Sequence, residues 1–163
     1  MNLTDALEKL LPSYSNYYDI KKEKVTEPFA AEAEFHAHNE QYVLVKAAKI
    51  ADIDSNEYVF FACTEFLSAS EFLEMDSKAW ETGLNRVEPK EGHRNSDVTL
   101  VILTNGLEEG VGKLIKKSHH SKTYKLGIRG WSNYSVICCD FGSSKLYYNR
   151  LGGNYKKLLG KLL

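Results

Sequence analysis

The segment FAAEAEFHAHNEQYVLVKAAKIADIDSNEYVFFACT, Phe29 to Thr64, decides how the rest of the chain is read. From Ala31 to His38 apolar and polar residues alternate strictly, with Ala31, Ala33, Phe35 and Ala37 on one side and Glu32, Glu34, His36 and His38 on the other. A period of two belongs to a strand with one buried face. Asn39 to Gln41 supplies a turn, Tyr42 to Ile50 (YVLVKAAKI) a returning strand, and Asp54 to Asn56 a second turn. Glu57 to Thr64 carries Tyr58-Val59-Phe60-Phe61, aromatic and β-branched residues that suit a pleated surface. The expectation is an antiparallel meander of three strands. The small alanines around Phe35 predict a bulky element, such as a helix, close over that face.

Upstream, Leu3, Leu7, Leu10 and Leu11 share one helical face and Pro12 interrupts it. Tyr14, Tyr17 and Tyr18 recur at helical spacing over Ser13 to Ile20; a tyrosine stripe can stack on bases, but packing against a core is the simpler reading. Lys21 to Pro28 reads as a charged connector. Downstream, Ser68 and Glu71 have capping-box spacing, and Phe72, Met75, Ala79 and Trp80 form the buried stripe of a helix that ends before Pro89. Lys90 to Asn95 reads as loop. Val98 to Thr104 (VTLVILT) is apolar on both faces, which places it in the interior of a sheet.

Asn105-Gly106 then turns the chain, and Leu107, Val111, Leu114 and Ile115 mark a short helix. Thr123 to Trp131, Tyr134 to Phe141 and Lys145 to Asn149 read as three strands, with a hairpin turn at Gly142-Ser143-Ser144. Tyr155 to Leu163 reads as a terminal helix. The predicted order is α-β-β-β-α-β-α-β-β-β-α. That is an α+β fold, a mixed, largely antiparallel sheet of about seven strands with flanking helices, in a single domain spanning residues 1 to 163.

With 163 residues, 43% apolar and 26% charged, the composition is that of a globular protein burying roughly 70% of its unfolded surface. Asp5 and Glu8 stand where a signal peptide is apolar, and no apolar run approaches the ~18 residues of a membrane span, so no membrane partner is expected. Three cysteines, two of them adjacent at Cys138 and Cys139, do not make a disulfide framework and suit a reducing cytoplasm.

The pieces LLPSYSNYYDI, EFHAHNEQYVLVKAAKI, NEYVFF and LGIRGWSNYSVICCDF resemble, in this order, a family of small uncharacterised prokaryotic proteins, a domain of unknown function. The landmarks are aromatic and apolar rather than catalytic. The resemblance therefore implies a compact prokaryotic cytoplasmic protein and no activity for any residue.

Four constellations carry chemistry. On the polar face of the first strand, His36 and His38 lie ~6.6 Å apart along one side, a spacing able to grip a transition metal, with Glu32 or Glu34 as further ligand or as an acid–base partner. A solvated strand face is the plainer reading. Thr104 to Leu114 follows a strand and opens a helix as a phosphate loop does. However, five residues separate Gly106 from Gly112 where four are needed, and Leu114 stands in place of the hydroxyl. The element order resembles that of restriction-endonuclease-like nucleases. That family's (Asp/Glu)-x-Lys would fall at Glu65-Phe66-Leu67, which has no lysine, so an inactive relative is the most this likeness implies. His119 and His120 follow a helix in a basic loop and read as surface. No cofactor motif is present.

Charge separates along the chain. Residues 1 to 109 hold 10 Lys/Arg and 21 Asp/Glu, whereas residues 110 to 163 hold 11 Lys/Arg and the single acid Asp140. Such asymmetry points to an anionic partner such as nucleic acid, or to a partner-protein surface. Lys113, Lys116, Lys117, Lys122, Lys125 and Arg129 form the cluster, with Trp131 available for stacking. The competing account is internal: the basic strands lie beside the acidic meander and the charges cancel. A non-enzymatic binding protein with a basic, anion-binding C-terminal third is the leading expectation. An enzyme or metal protein using Glu32, Glu34, His36 and His38 is the alternative.

Overall fold

The computed structural model describes residues 1–37 and 54–163. The strand expected at Tyr42 to Ile50 and the ligand candidate His38 lie outside the described residues. In chain order the elements are α1 (Leu3–Leu10), β1 (Asp19–Lys21), β2 (Ala31–Ala37), β3 (Asp54–Thr64), α2 (Ala69–Asn85), β4 (His93–Thr104), α3 (Val111–Lys117), β5 (Ser121–Thr123), β6 (Trp131–Asp140), β7 (Lys145–Tyr148) and α4 (Lys156–Leu159), the last set between 3₁₀ turns. The fold is α+β, and among the described residues seven strands form one mixed sheet in the order β1-β2-β3-β4-β6-β5, with β7 also pairing with β6. Four of the six pairings are antiparallel, and the two at the centre, β3–β4 and β4–β6, are parallel.

Parallel neighbours need crossover connections, and α2 and α3 provide them. The stripe of α2 (Phe72, Met75, Ala79) and that of α3 (Val111, Ile115) share one core with Phe60, Leu100, Ile102, Val136 and Cys138, so both crossovers lie on one face of the sheet. At Gly83, α2 runs so close to β4 that an added Cβ would sit 2.4 Å from Val98 Cγ2. Ser68 caps α2 as its spacing predicted, accepting the Glu71 N–H at 3.2 Å. The second face is covered by the two ends of the chain. Leu3, Leu7 and Leu10 of α1, then Tyr14, and Leu159 of α4 pack on Ala31, Ala33, Val59, Phe61, Val101 and Ile137. The alanine face of β2 thus meets the bulky helix its small side chains implied.

Four expectations need correction. β2 and β3 pair directly over seven residues, from Ala31↔Phe61 to Ala37↔Ser55, so the two runs are sheet neighbours rather than the outer strands of a meander. The strand that flanks β2 is β1, at the end of a stretch read as helical, which winds through a 3₁₀ turn at Leu11–Ser13 and one further turn from Tyr14 to Tyr18 before β1 begins. β4 begins at His93, not Val98, because Asn95, Ser96 and Asp97 stay in register with Ser55, Asn56 and Glu57. Pairing with a neighbour outweighs the polar composition that reads as loop. The strand expected over Thr123 to Trp131 is reduced to β5 and a loop, since Lys125, Leu126, Gly127 and Gly130 all take positive φ.

Between two parallel neighbours, Leu100 and Ile102 are wholly buried. Leu100→Ala or Ile102→Ala should each cost about 2–5 kcal/mol, measured as a lower urea midpoint with an unchanged slope. Unchanged midpoints for both would remove β4 from the centre of the core.

Candidate functional site

The polar face of β2 is closed by one arginine. Arg86, the residue after α2, holds Glu32 Oε2 at 3.0 Å and Glu34 Oε1 at 2.9 Å, while its guanidinium lies 5.3 Å over the Phe60 ring. Glu32, 2% exposed, also accepts the Thr26 N–H at 2.7 Å. Burial alone would raise its carboxyl, but the Thr26 hydrogen bonds and the Arg86 charge outweigh burial and hold it below the usual carboxylate range. His36 is engaged on both nitrogens, Nδ1 with Asn56 Oδ1 at 2.8 Å and Nε2 with Glu34 Oε2 at 3.2 Å. A pocket of about 370 Å³ opens beside these pairs, lined by Asp19, Ile20, Lys21, Glu32, Glu34 and Arg86. The face is thus only partly solvated: Glu32 is buried, Glu34 is half-buried and His36 exposed, and the Arg86 pairs lock the end of α2 to the sheet. Among the described residues, no group of three or more His, Cys, Asp or Glu is arranged to hold a metal.

His119 is exposed, as read, but His120 is not a free surface residue. Its Nε2 lies 2.7 Å from Asp76 Oδ2, and Trp80 stacks on the imidazole with centroids 5.4 Å apart. Asp76 also accepts the Ser118 and Tyr134 hydroxyls, each at 2.7 Å. One buried carboxylate therefore ties α2, the end of α3 and β6 together. Its sequence signal was an acid one residue after Met75, inside the apolar stripe of a helix. Leu67 is buried and donates its N–H to Gly106 O, and Glu108 of the near-miss phosphate loop accepts the Ala69 N–H at the start of α2. Both stretches hold the fold together.

The lower half of the α1 face carries an unexpected polar layer. Register partners Glu57 and Asp97 sit side by side on β3 and β4, with Asn133 beyond. Glu57 accepts Tyr18 Oη at 2.6 Å, Tyr155 Oη at 2.6 Å and Thr99 Oγ1 at 2.9 Å, which occupies three of its roughly four acceptor sites. Asp97 has weaker donors, Asn95 Nδ2 at 3.1 Å and the Asn133 N–H at 3.3 Å. Burial, with the Glu57 carboxylate beside it, pushes the Asp97 carboxyl above its ordinary range despite those two hydrogen bonds. Two neighbouring carboxylates in such unlike surroundings can divide acid and base roles. Sequence reading missed Asp97 because it placed the strand's start one residue later.

The six basic candidates lie at the other end of the sheet from β2. Lys113, Lys116 and Lys117 project from α3, and Lys122, Lys125 and Arg129 belong to β5 and the loop after it; the five lysines are exposed and Arg129 is half-buried. None makes an ion pair among the described residues; the Lys122 ammonium rests 5.5 Å from the centroid of Tyr124. Trp131, 37% exposed, starts β6 opposite Thr123. It faces the α1 side of the sheet, away from α3, so the cluster wraps an edge rather than forming one flat patch. β3 and β4 separate this edge from the acids of β2, and charge cancellation between adjacent strands is not what the topology provides.

Two substitutions probe these networks. Asp76→Ala should cost about 3–5 kcal/mol by leaving Tyr134, Ser118 and His120 without their shared acceptor; an unchanged urea midpoint would mean that the network is dispensable. For Asp97, a folded-state value above the unfolded ~3.9 means that stability is lost as pH rises through that window. Asp97→Asn should therefore raise the midpoint at pH 7, with the gain shrinking towards pH ~4. A variant less stable than the parent at pH 7 would show that ionised Asp97 supports the fold.

No helix among the described residues is long and apolar enough to cross a membrane. No curated protein and no solved structure matches the chain. A family model described as a domain of unknown function matches residues 2–161, nearly the whole length. The chain belongs to that family, DUF8052, whose biochemical activity is not defined.

Proposed function

We propose that this protein is a binding protein, acting as one domain, whose basic C-terminal third engages a phosphate-rich polyanion. The observation that carries this reading is the contrast between the two ends of the sheet. At the β2 end Glu32 and Glu34 are paired with Arg86. At the β5–β6 end the lysines are exposed and have no ion-pair partner among the described residues. Unpaired cations on one edge raise the local concentration of an anion and bind it through counterion release. A reducing, cytoplasmic setting fits the three free thiols; burial pushes Cys63 up to about 11 and Cys139 to about 12, which keeps both unreactive at neutral pH. An enzyme is the second reading, favoured by the unlike carboxylates Glu57 and Asp97 rather than by the Glu32–His38 face. The Asp97→Asn titration tests the proton it would need.

Binding should be weak and indifferent to base sequence. With two or three phosphates contacted, the logarithm of affinity should fall against the logarithm of salt with a slope near about −2. Replacing Lys122, Lys125 and Arg129 together by Gln should flatten that slope. Trp131→Ala should weaken binding by roughly 1–3 kcal/mol without changing it, because stacking releases no counterions. Fluorescence anisotropy with labelled single-stranded oligonucleotides at low and moderate salt decides the matter. No binding at low salt by folded, monodisperse protein would exclude nucleic acid as that polyanion, and the proposal falls if anionic vesicles are not bound either.

A further inference from the structure

Between β5 and β6 the chain makes a tight loop, residues 124–130, built to hold its shape. Tyr124 N–H donates to Gly130 O at 2.9 Å, and Tyr124 O accepts the N–H groups of Gly127 at 3.0 Å and Arg129 at 3.1 Å. The loop is pinned to neighbouring strands. His93 Nδ1 lies 2.6 Å from Arg129 O, Tyr124 Oη lies 2.9 Å from Ser132 Oγ, and His93 meets the Tyr124 ring edge to face. Gly130 presses on the start of β4 so closely that a Cβ would come 2.0 Å from Arg94 O.

The loop tip is strained and apolar at once. Lys125 (φ 47°) and Leu126 (φ 53°) adopt the left-handed conformation in succession before Gly127 (φ 89°). A leucine there is sterically disfavoured and persists only where the surroundings impose it. What the strain achieves is display: Leu126 is 100% exposed and Ile128 82%. In the same short stretch of chain, Lys122 and Lys125 are exposed, Arg129 is half-buried and Trp131 follows the loop at the start of β6.

We infer that this loop docks the protein on an anionic lipid bilayer, with Leu126 and Ile128 entering below the headgroups and Lys122, Lys125 and Arg129 lying at the phosphate level. The inference rests on the basic edge proposed above and names its partner. Three features select a bilayer. Aliphatic side chains have no π-face to stack on bases, so a nucleic acid would leave the tip unused. Cations flanking an exposed aliphatic pair in one loop match the order of a membrane surface, charged outside and hydrocarbon inside. Trp131, partly exposed where the loop ends, is of the residue type that favours the boundary between them. A peripheral contact of this kind needs no spanning helix.

The test is co-sedimentation with vesicles of equal parts phosphatidylglycerol and phosphatidylcholine, with phosphatidylcholine vesicles and a single-stranded oligonucleotide as parallel probes. The protein should bind the mixed vesicles, not phosphatidylcholine alone, and lose binding as salt rises. Leu126→Ser with Ile128→Ser should weaken vesicle binding by roughly tenfold or more and leave oligonucleotide binding unchanged; both side chains lie outside the core, so the fold is kept. Leu126→Gly should raise the thermal midpoint by relieving the positive φ and still weaken vesicle binding, a pairing that a merely structural leucine would not give. Vesicle binding indifferent to the aliphatic pair, or oligonucleotide binding without vesicle binding, would overturn the membrane assignment and leave the polyanion reading standing. Binding to neither probe would overturn both. Loss of a protein partner from the Leu126→Ser, Ile128→Ser variant, with no vesicle binding by the parent, would reassign the loop to a protein groove.

Discussion

Parallel pairing of β4 on both of its edges is the constraint from which the architecture follows. A strand paired in this way cannot be joined to its neighbours by hairpins, so the chain must leave the sheet and cross back twice. Both crossings run in the same direction along the sheet order, β3 to β4 to β6, and α2 and α3 therefore fall on the same face. The opposite face is left to the two ends of the chain, α1 and α4. Only a strand apolar on both sides can occupy that central place, and VTLVILT is that strand.

The same topology sorts the charges. Early strands β1 and β2 are placed at one edge, and the late basic segments at the other. Acids and bases that a linear reading pairs by proximity are thus held apart by two buried strands. The acids of the core find local partners. Arg86 holds Glu32 and Glu34, Asp76 collects three donors between α2, α3 and β6, and Tyr18, Tyr155 and Thr99 donate to Glu57. The basic edge is different, because its cations have no such partner among the described residues.

Much of the fold was legible because it is written in local patterns. Ser68 with Glu71, the stripe Phe72-Met75-Ala79 and the two-sided apolar run of β4 each declare an element within a few residues. What was not legible depended on partners distant in sequence. Asp97 and Asn95 look like loop until β3 is laid beside them, and β1 exists only because β2 offers an edge. Arg86, fifty-four residues from Glu32, gives no sign of its role, although Asp76 inside an apolar stripe does. The loop at 124–130 was read as part of a strand over Thr123 to Trp131, but of its large apolar side chains only Tyr124 is buried, whereas Leu126 and Ile128 are displayed. Gly127 and Gly130 were the signal against a strand.

The basic edge is most directly tested by mapping backbone amide shifts in an ¹⁵N-labelled sample while a short single-stranded oligonucleotide is titrated at low salt. Shifts confined to residues 111–131, with Asp19 to Ala37 and Arg86 unmoved, are expected if the unpaired cations form the binding surface. Shifts centred on the pocket between β1, β2 and Arg86, or none at all, would contradict it.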